Sequence, residues 1–252
     1  MDRIAAHALS VGVMVRAASR VFFVAGTDTG VGKTVVAAGL LRAFGRAGHS
    51  TVGLKPVAAG CDRAGGALVN GDALALQREA SCPLEYAEVN PVALEPAIAP
   101  HLAAMQAELP LTCAGLLTHC TPWVERVRSK TLDVLVIEGA GGWLVPLNER
   151  ETLADFCEAL GAGVILVVGM RLGCLNHALL TAADVERRGL QLVGWVANCL
   201  PPDMAELDAN LATLEGRLSA PCLARIPSGD VDDLVESAAL RLDFPRLLES
   251  GA

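Results

Sequence analysis

The chain has 252 residues, 52% of them hydrophobic, and a formal net charge of −8. This length suits one large core, and with no linker-like stretch a single soluble domain is expected over residues 21–252. The acidic balance works against a surface that grips polyanions, so no nucleic-acid partner is expected. A few lysines and backbone N–H groups in a pocket still suffice for one small phosphate ligand.

The first twenty residues, "MDRIAAHALSVGVMVRAASR", lack a basic opening, a sustained apolar run and a cleavage site. They read as a poorly ordered extension over residues 1–20, with Met14 a second candidate start. No run reaches the roughly 20 apolar residues of a membrane helix, so no membrane contact is expected. The eight cysteines are scattered without a C-x-x-C pair, which offers no zinc cluster and suits reduced thiols in a cytoplasmic compartment.

The apolar run Val21–Ala25 leads into "GTDTGVGKT" and a helical pattern over Thr34–Arg46. A strand feeding a glycine loop and then a helix gathers backbone N–H groups and the positive end of the helix dipole around one point. That point suits phosphate: Lys33 can reach β- and γ-phosphates and the Thr34 hydroxyl can ligate Mg²⁺. The spacing is a variant of the P-loop pattern, because Thr27 stands where the first glycine belongs and Gly26 is one residue early. A structural glycine turn is the competing reading.

The run Thr51–Leu54 ends at Lys55 and Pro56, which places Lys55 at the same sheet edge as the glycine loop; an ordinary solvated lysine is the alternative. Between Pro56 and Pro110 prolines multiply and only short helices are expected, Asp72–Glu79 among them. Such a loop-rich excursion is a natural pocket wall or lid beyond the strand ends. Asp72, in "NGDALAL", reads equally as an N-terminal helix carboxylate or as a metal ligand.

A helix over Ala114–Arg128 precedes the run Leu132–Ile137, which Glu138 ends. A carboxylate closing a buried strand is costly unless something pairs with it, and Gly139, Gly141 and Gly142 let the backbone approach phosphates closely. A helix over Thr152–Leu160, the run Val164–Val168, a helix over Asn176–Arg188 and the run Leu192–Ala197 follow. Asn198 then stands either as a turn residue or as an amide matched to adenine N6 and N7. A helix over Asp203–Leu218, the run Cys222–Ile226 and a helix over Val231–Leu240 complete the series. Runs apolar at every position fit strands buried on both faces. The expected fold is therefore α/β and of the P-loop NTPase type, with a mostly parallel central sheet and helices on both faces.

The blocks "GTDTGVGKT", "LKPVAAG", "NGDALAL", "VNPVALEPAIAPHLAA", "VIEGAGGWLVPL", "LVVGMRLGCLNHALLTA", "GWVAN" and "IP" occur in an order that resembles the dethiobiotin synthetase family, over about residues 21 to 230. The resemblance implies MgATP-dependent carboxylation and ring closure of 7,8-diaminononanoate with CO2, through a carbamate and a carbamic–phosphoric anhydride. It also implies a homodimer with the substrate site near the subunit interface.

By the same resemblance Lys33 and Lys55 are catalytic and Thr29 is both catalytic and substrate-binding. Gly30, Val31, Gly32, Thr34, Val35, Glu138, Gly139, Ala140 and Gly141 contact nucleotide, with Asn198, Cys199 and Pro227 around the base. Thr34, Asp72 and Glu138 hold Mg²⁺, while Lys55, Ala59, Gly173, Cys174 and Asn176 join the substrate contacts; His177 beside them reads by default as a packing residue. Four positions depart from the family: Gly30 stands where some members have glutamate, Ala59 where some have serine, and Ser228 and Gly229 where a bulky apolar pair is common. The rival reading is a P-loop switch ATPase of the partitioning type. Such switches use a second lysine near the start of the loop, where this chain has Gly26, Thr27 and Asp28.

Overall fold

The computed structural model describes residues 20–200, 204–229 and 231–249. In chain order the elements are β1 (Val21–Gly26), α1 (Lys33–Arg46), β2 (Thr51–Leu54), β3 (Val57–Ala59), β4 (Asp62–Ala64), β5 (Ala67–Val69), α2 (Gly71–Glu79), α3 (Tyr86–Val89), β6 (Val92–Leu94) and α4 (Pro100–Gln106). They continue with α5 (Cys113–Arg128), β7 (Val134–Glu138), α6 (Leu153–Leu160), β8 (Gly163–Met170), α7 (Cys174–Arg187), β9 (Leu192–Cys199), α8 (Leu207–Arg217), β10 (Cys222–Ile226), α9 (Val231–Arg241) and α10 (Phe244–Glu249).

Six strands form the central sheet in the order β10-β9-β8-β1-β7-β2, and every pairing in it is parallel. The uninterrupted apolar runs are explained by the two cores. Val21, Phe23 and Ala25 of β1 enter one core while Phe22 and Val24 enter the other, and β7 divides the same way, Leu135 and Ile137 against Val134 and Val136. Each fully buried side chain of this kind contributes about 1.5–3 kcal/mol relative to exposure. Helices α5 to α8 cover the first face, and α1, α2, α9 and α10 cover the second.

The sheet order places the site. The chain leaves β1 for β2, returns through β7 between them, and only then crosses to β8 on the far side of β1. The connections therefore diverge at the carboxyl end of β1, where open parallel sheets leave a crevice. Helix α9 closes against α1 because Gly39 has no side chain: a Cβ there would stand 2.6 Å from Ala238 Cβ. That contact brings Val235 to the crevice wall.

The excursion is more ordered than its composition indicated. It contains the parallel pair β3–β6, the antiparallel ribbon β4–β5 and the short helices α2, α3 and α4. The last predicted strand run, Cys222–Ile226, is reproduced to the residue. The helix expected from Asp203 is described only over Leu207–Arg217; Asp203 itself lies outside the described residues, as does most of the expected N-terminal extension, Met14 included. Cys61, Cys113, Cys120, Cys157 and Cys174 are buried, and desolvation pushes the Cys113 and Cys120 thiols up to about 12. Among the described residues no helix is long and apolar enough to cross a membrane.

Candidate active site

The loop between β1 and α1 turns on glycines. Gly30 and Gly32 have φ of 71° and 88°, and Gly32 is the residue before the first turn of α1. A side chain at Gly32 is excluded twice, by that φ and by Asn198, whose Nδ2 would lie 2.1 Å from a Cβ. Asn198 Nδ2 donates to Val31 O at 2.9 Å, so the amide at the end of β9 pins the loop; its Oδ1 is buried without a partner.

Lys33, only 6% exposed, donates from Nζ to Gly141 O at 2.6 Å and to Asp28 O at 3.1 Å. It thus ties the β1–α1 loop to the glycine-rich segment after β7. Burial, and then the Lys55 charge, pull its ammonium down to about 8.

Lys55 is not a solvated lysine. It is 3% exposed, and its Nζ donates to Glu138 Oε1 at 2.6 Å and Gly139 O at 3.0 Å and pairs with Asp72 Oδ2 at 3.1 Å. Burial works against this ammonium, but Glu138 and Asp72 outweigh it and hold the group above its ordinary value. Thr34 Oγ1 donates to the same Glu138 Oε1 at 2.9 Å.

Asp72 lies in the first turn of α2, as the helix-carboxylate reading expects, and its carboxylate faces Lys55. Asn70 caps that helix by accepting from Asp72 N and Ala73 N. A polar chain not anticipated from sequence anchors this group: Asn70 N donates to Tyr86 Oη, which donates to Asn90 Oδ1, and Asn90 Nδ2 donates to Lys55 O at 2.6 Å. The signal was thin, three polar residues in a loop-rich stretch with no fixed spacing.

A cavity of about 860 Å³ opens over this cluster. Thr29, Gly30, Gly32, Lys33, Thr34, Val35, Lys55, Ala59, Asp72, Glu138, Ala140 and Gly141 all line it, with Ala97 to Pro100 of the excursion as one wall. The remaining candidates stand elsewhere. Asn198 and Cys199 end β9, Pro227 is exposed after β10, and Gly173, Cys174 and Asn176 sit at the start of α7. Gly173 is the residue before α7, with φ 98°; Cys174 is buried, Asn176 exposed. His177, expected to pack, is exposed instead, because at this point of α7 it is Cys174 and Ala178 that face the core.

Two further tethers hold the glycine-rich segment and the α7 entry. Arg171 pairs with Asp28 of the phosphate-type loop. Trp143 Nε1 donates to Asp184 Oδ2 at 2.8 Å, and Arg188 joins Asp184 to Asp155 and Glu158 of α6.

Taken together, the site offers N–H groups at a helix start, two buried lysines, two carboxylates and a hydroxyl. That set can neutralise a transferring phosphoryl group and hold a hard cation through oxygen.

A family profile described as "AAA domain" matches residues 20–233. The chain is 50% identical over 231 residues to ATP-dependent dethiobiotin synthetase BioD of Cellvibrio japonicus, spanning 92% of this chain and 99% of that protein. It is 55% identical over 206 residues to the protein of the same name from Pseudomonas paraeruginosa, spanning 82% and 89%. Among solved structures it resembles the septum site-determining protein MinD complexed with Mg-ADP from Pyrococcus horikoshii, with a TM-score of 0.55 and 19% identity over 92% of this chain and 95% of that one. At that identity the likeness is one of fold.

Proposed function

The chain belongs to the dethiobiotin synthetase family, and from that premise we propose that it joins CO2 to 7,8-diaminononanoate at the expense of ATP, giving dethiobiotin, ADP and phosphate. One observation carries the assignment of the chemistry to this cavity: two buried lysines, one opening α1 and one just after β2, meet the carbonyls of one glycine-rich segment beside the phosphate-type loop.

In the proposed sequence one substrate amine adds to CO2 and loses a proton, giving a carbamate. A carbamate oxygen attacks the γ-phosphorus and displaces ADP. The second amine then attacks the carbamoyl carbon, expels phosphate and closes the ureido ring. Negative charge gathers on the carbamate and on the phosphoryl oxygens, where Lys33 and Lys55 are placed to neutralise it. Thr29, on the cavity wall, is assigned to the substrate, and the N–H groups of Gly30 to Val35 to the phosphates. Backbone groups of Glu138 to Gly141 close over them.

The donor set fits Mg²⁺. Thr34 Oγ1 and the Asp72 and Glu138 carboxylates are hard oxygen donors, and Glu138 Oε2 is buried with no partner. Among the described residues no group of three or more His, Cys, Asp or Glu could hold a metal ion. When bound, Mg²⁺ supplies charge neutralisation and orientation of the triphosphate.

Adenine is assigned to Asn198, Cys199 and Pro227, and Ala59 to the substrate wall. The α7 entry at Gly173, Cys174 and Asn176 lies outside the cavity lining, and the family resemblance assigns it to the distant substrate carboxylate of a site completed by a second copy. Leu172 beside it is 97% exposed, as such a contact requires. The reading thus includes a homodimer, residues 21–252 as one catalytic unit, and a cytoplasmic setting for its small-molecule substrates.

The test is mass-spectrometric detection of dethiobiotin after mixing the protein with diaminononanoate, bicarbonate and MgATP, with a Lys33→Ala control. Product that disappears in the control supports the assignment. No product from a protein that still binds ATP would retire it.

A further inference from the structure

The Lys55 ammonium is held by three protein groups. An ammonium has three donors; here it donates to Glu138 Oε1 and Gly139 O and pairs with Asp72 Oδ2 at 3.1 Å. Its side chain is 4% exposed. A lysine whose work is to meet a carbamate or a phosphoryl group must first let go of some of these partners.

The partners are informative. Asp72 and Glu138 are the two carboxylates assigned to the divalent cation, and Thr34, the third assigned ligand, donates to the very Glu138 oxygen that Lys55 holds. One protein cation therefore sits among all three assigned metal ligands. Glu138 is 1% exposed and its second oxygen has no partner, so this carboxylate needs a counter-charge whenever it is ionised.

We infer that Lys55 is the resident counter-ion of the Asp72–Glu138 pair in the nucleotide-free protein, and that it exchanges with the divalent cation on those carboxylates. The inference rests on the proposed function for the identity of that cation. Two arguments favour exchange over joint occupancy. Glu138 Oε1 already accepts from both Lys55 and Thr34, so a divalent ion held there would compete with them, and one held at the unpartnered Oε2 would still place a double charge beside the ammonium. A single charge and a double charge both within coordination distance of one oxygen also repel strongly in so dry a place. Displaced from the carboxylates, Lys55 stays on the cavity wall, and its freed donors face the space where the transferring group is bound. The catalytic lysine becomes available only when the cation is loaded, which suppresses unproductive contact between Lys55 and a lone substrate.

The test uses Mn²⁺ as the probe and omits nucleotide and substrate. Free Mn²⁺ is followed by electron paramagnetic resonance while wild type and Lys55→Met are titrated. Removing the competing ammonium is expected to tighten Mn²⁺ binding by about tenfold or more. Equal or weaker binding by the variant overturns the inference. Because the substitution strips Glu138 of its cationic partner, thermal unfolding with and without Mn²⁺ is the second measurement. A larger Mn²⁺-dependent rise in Tm for Lys55→Met than for wild type, or a variant that folds only with Mn²⁺, supports exchange; a variant indifferent to Mn²⁺ overturns it. Neither readout involves the reaction, so a wild type that makes no dethiobiotin yet passes both would retire the substrate assignment and leave the exchange standing.

Discussion

Lys33 allows a prediction whose size follows from its surroundings. Desolvation in a position 6% exposed, aided by the Lys55 charge, brings its pKa from 10.5 down to about 8. A lowered lysine pKa means that between about pH 8 and 10.5 the unfolded chain binds the proton and the folded chain does not. Stability therefore rises with pH across that window, and the cost of the buried ammonium is fully present below it. At about 1.36 kcal/mol per pH unit the cost is about 3 kcal/mol, and about 2–3 kcal/mol of it should be relieved between pH 7 and 10. Other groups titrate in the same range, so the quantity to measure is a difference. Urea unfolding of wild type and Lys33→Met at pH 7 and pH 10 isolates it, because Met keeps the length of the side chain and cannot ionise. The wild type should gain about 2–3 kcal/mol on the variant over that interval. Parallel pH profiles would refute the reasoning and mean that Lys33 is not strained by its burial.

Three more outcomes are expected. Gly32→Ala forces a Cβ to 2.1 Å from Asn198 Nδ2 at a φ of 88°, and should cost about 1–3 kcal/mol and weaken nucleotide binding, read by calorimetry. Arg42 holds Glu79 through two bonds of 2.7 and 2.8 Å and also pairs with Glu236, linking α1 to α2 and α9; Arg42→Ala should lose about 1–3 kcal/mol in urea unfolding. Burial opposes ionisation of Asp184, but Arg188, Arg187 and Trp143 overcome it and hold the carboxyl at about 2 instead of 3.8. The stability this supplies is present above about pH 4 and lost as pH falls toward 2, so Asp184→Asn should cost about 2 kcal/mol at pH 7 and progressively less in acid.

What could be read from sequence divides by physical cause. Strands buried on both faces announce themselves as unbroken apolar runs, which is why β2 and β10 match to the residue and the others to within a few residues. Three-residue strands such as β3 and β6 have no room for a pattern, and their pairing depends on a chain excursion that only the tertiary fold defines. Glu138 was conspicuous because a carboxylate interrupts an apolar run. Lys55 was ambiguous on spacing, since the same Leu-Lys-Pro sequence serves a solvated lysine as well as one 3% exposed, and only the family resemblance favoured a working role. His177 misled because neighbouring helix positions differ by about 100° in direction, so the side chain next to one on the wall need not share its face.

The glycine-rich segment after β7 is where these separate facts meet. Its sequence indicated close backbone approach to phosphate, but in the structure two of its carbonyls are occupied by lysine: Gly141 O by Lys33 and Gly139 O by Lys55. The segment is fixed at its far end by Trp143, whose indole reaches Asp184 on α7, and Arg188 carries the connection on to α6. A backbone carbonyl can direct an ammonium only as well as its own peptide is fixed, so the placement of both lysines depends on residues that touch neither of them. Spacing arguments find side chains that do chemistry; they do not find the peptide oxygens that aim those side chains, because every residue has one. The glycines permit the approach, and the Trp143–Asp184–Arg188 tether determines where it ends.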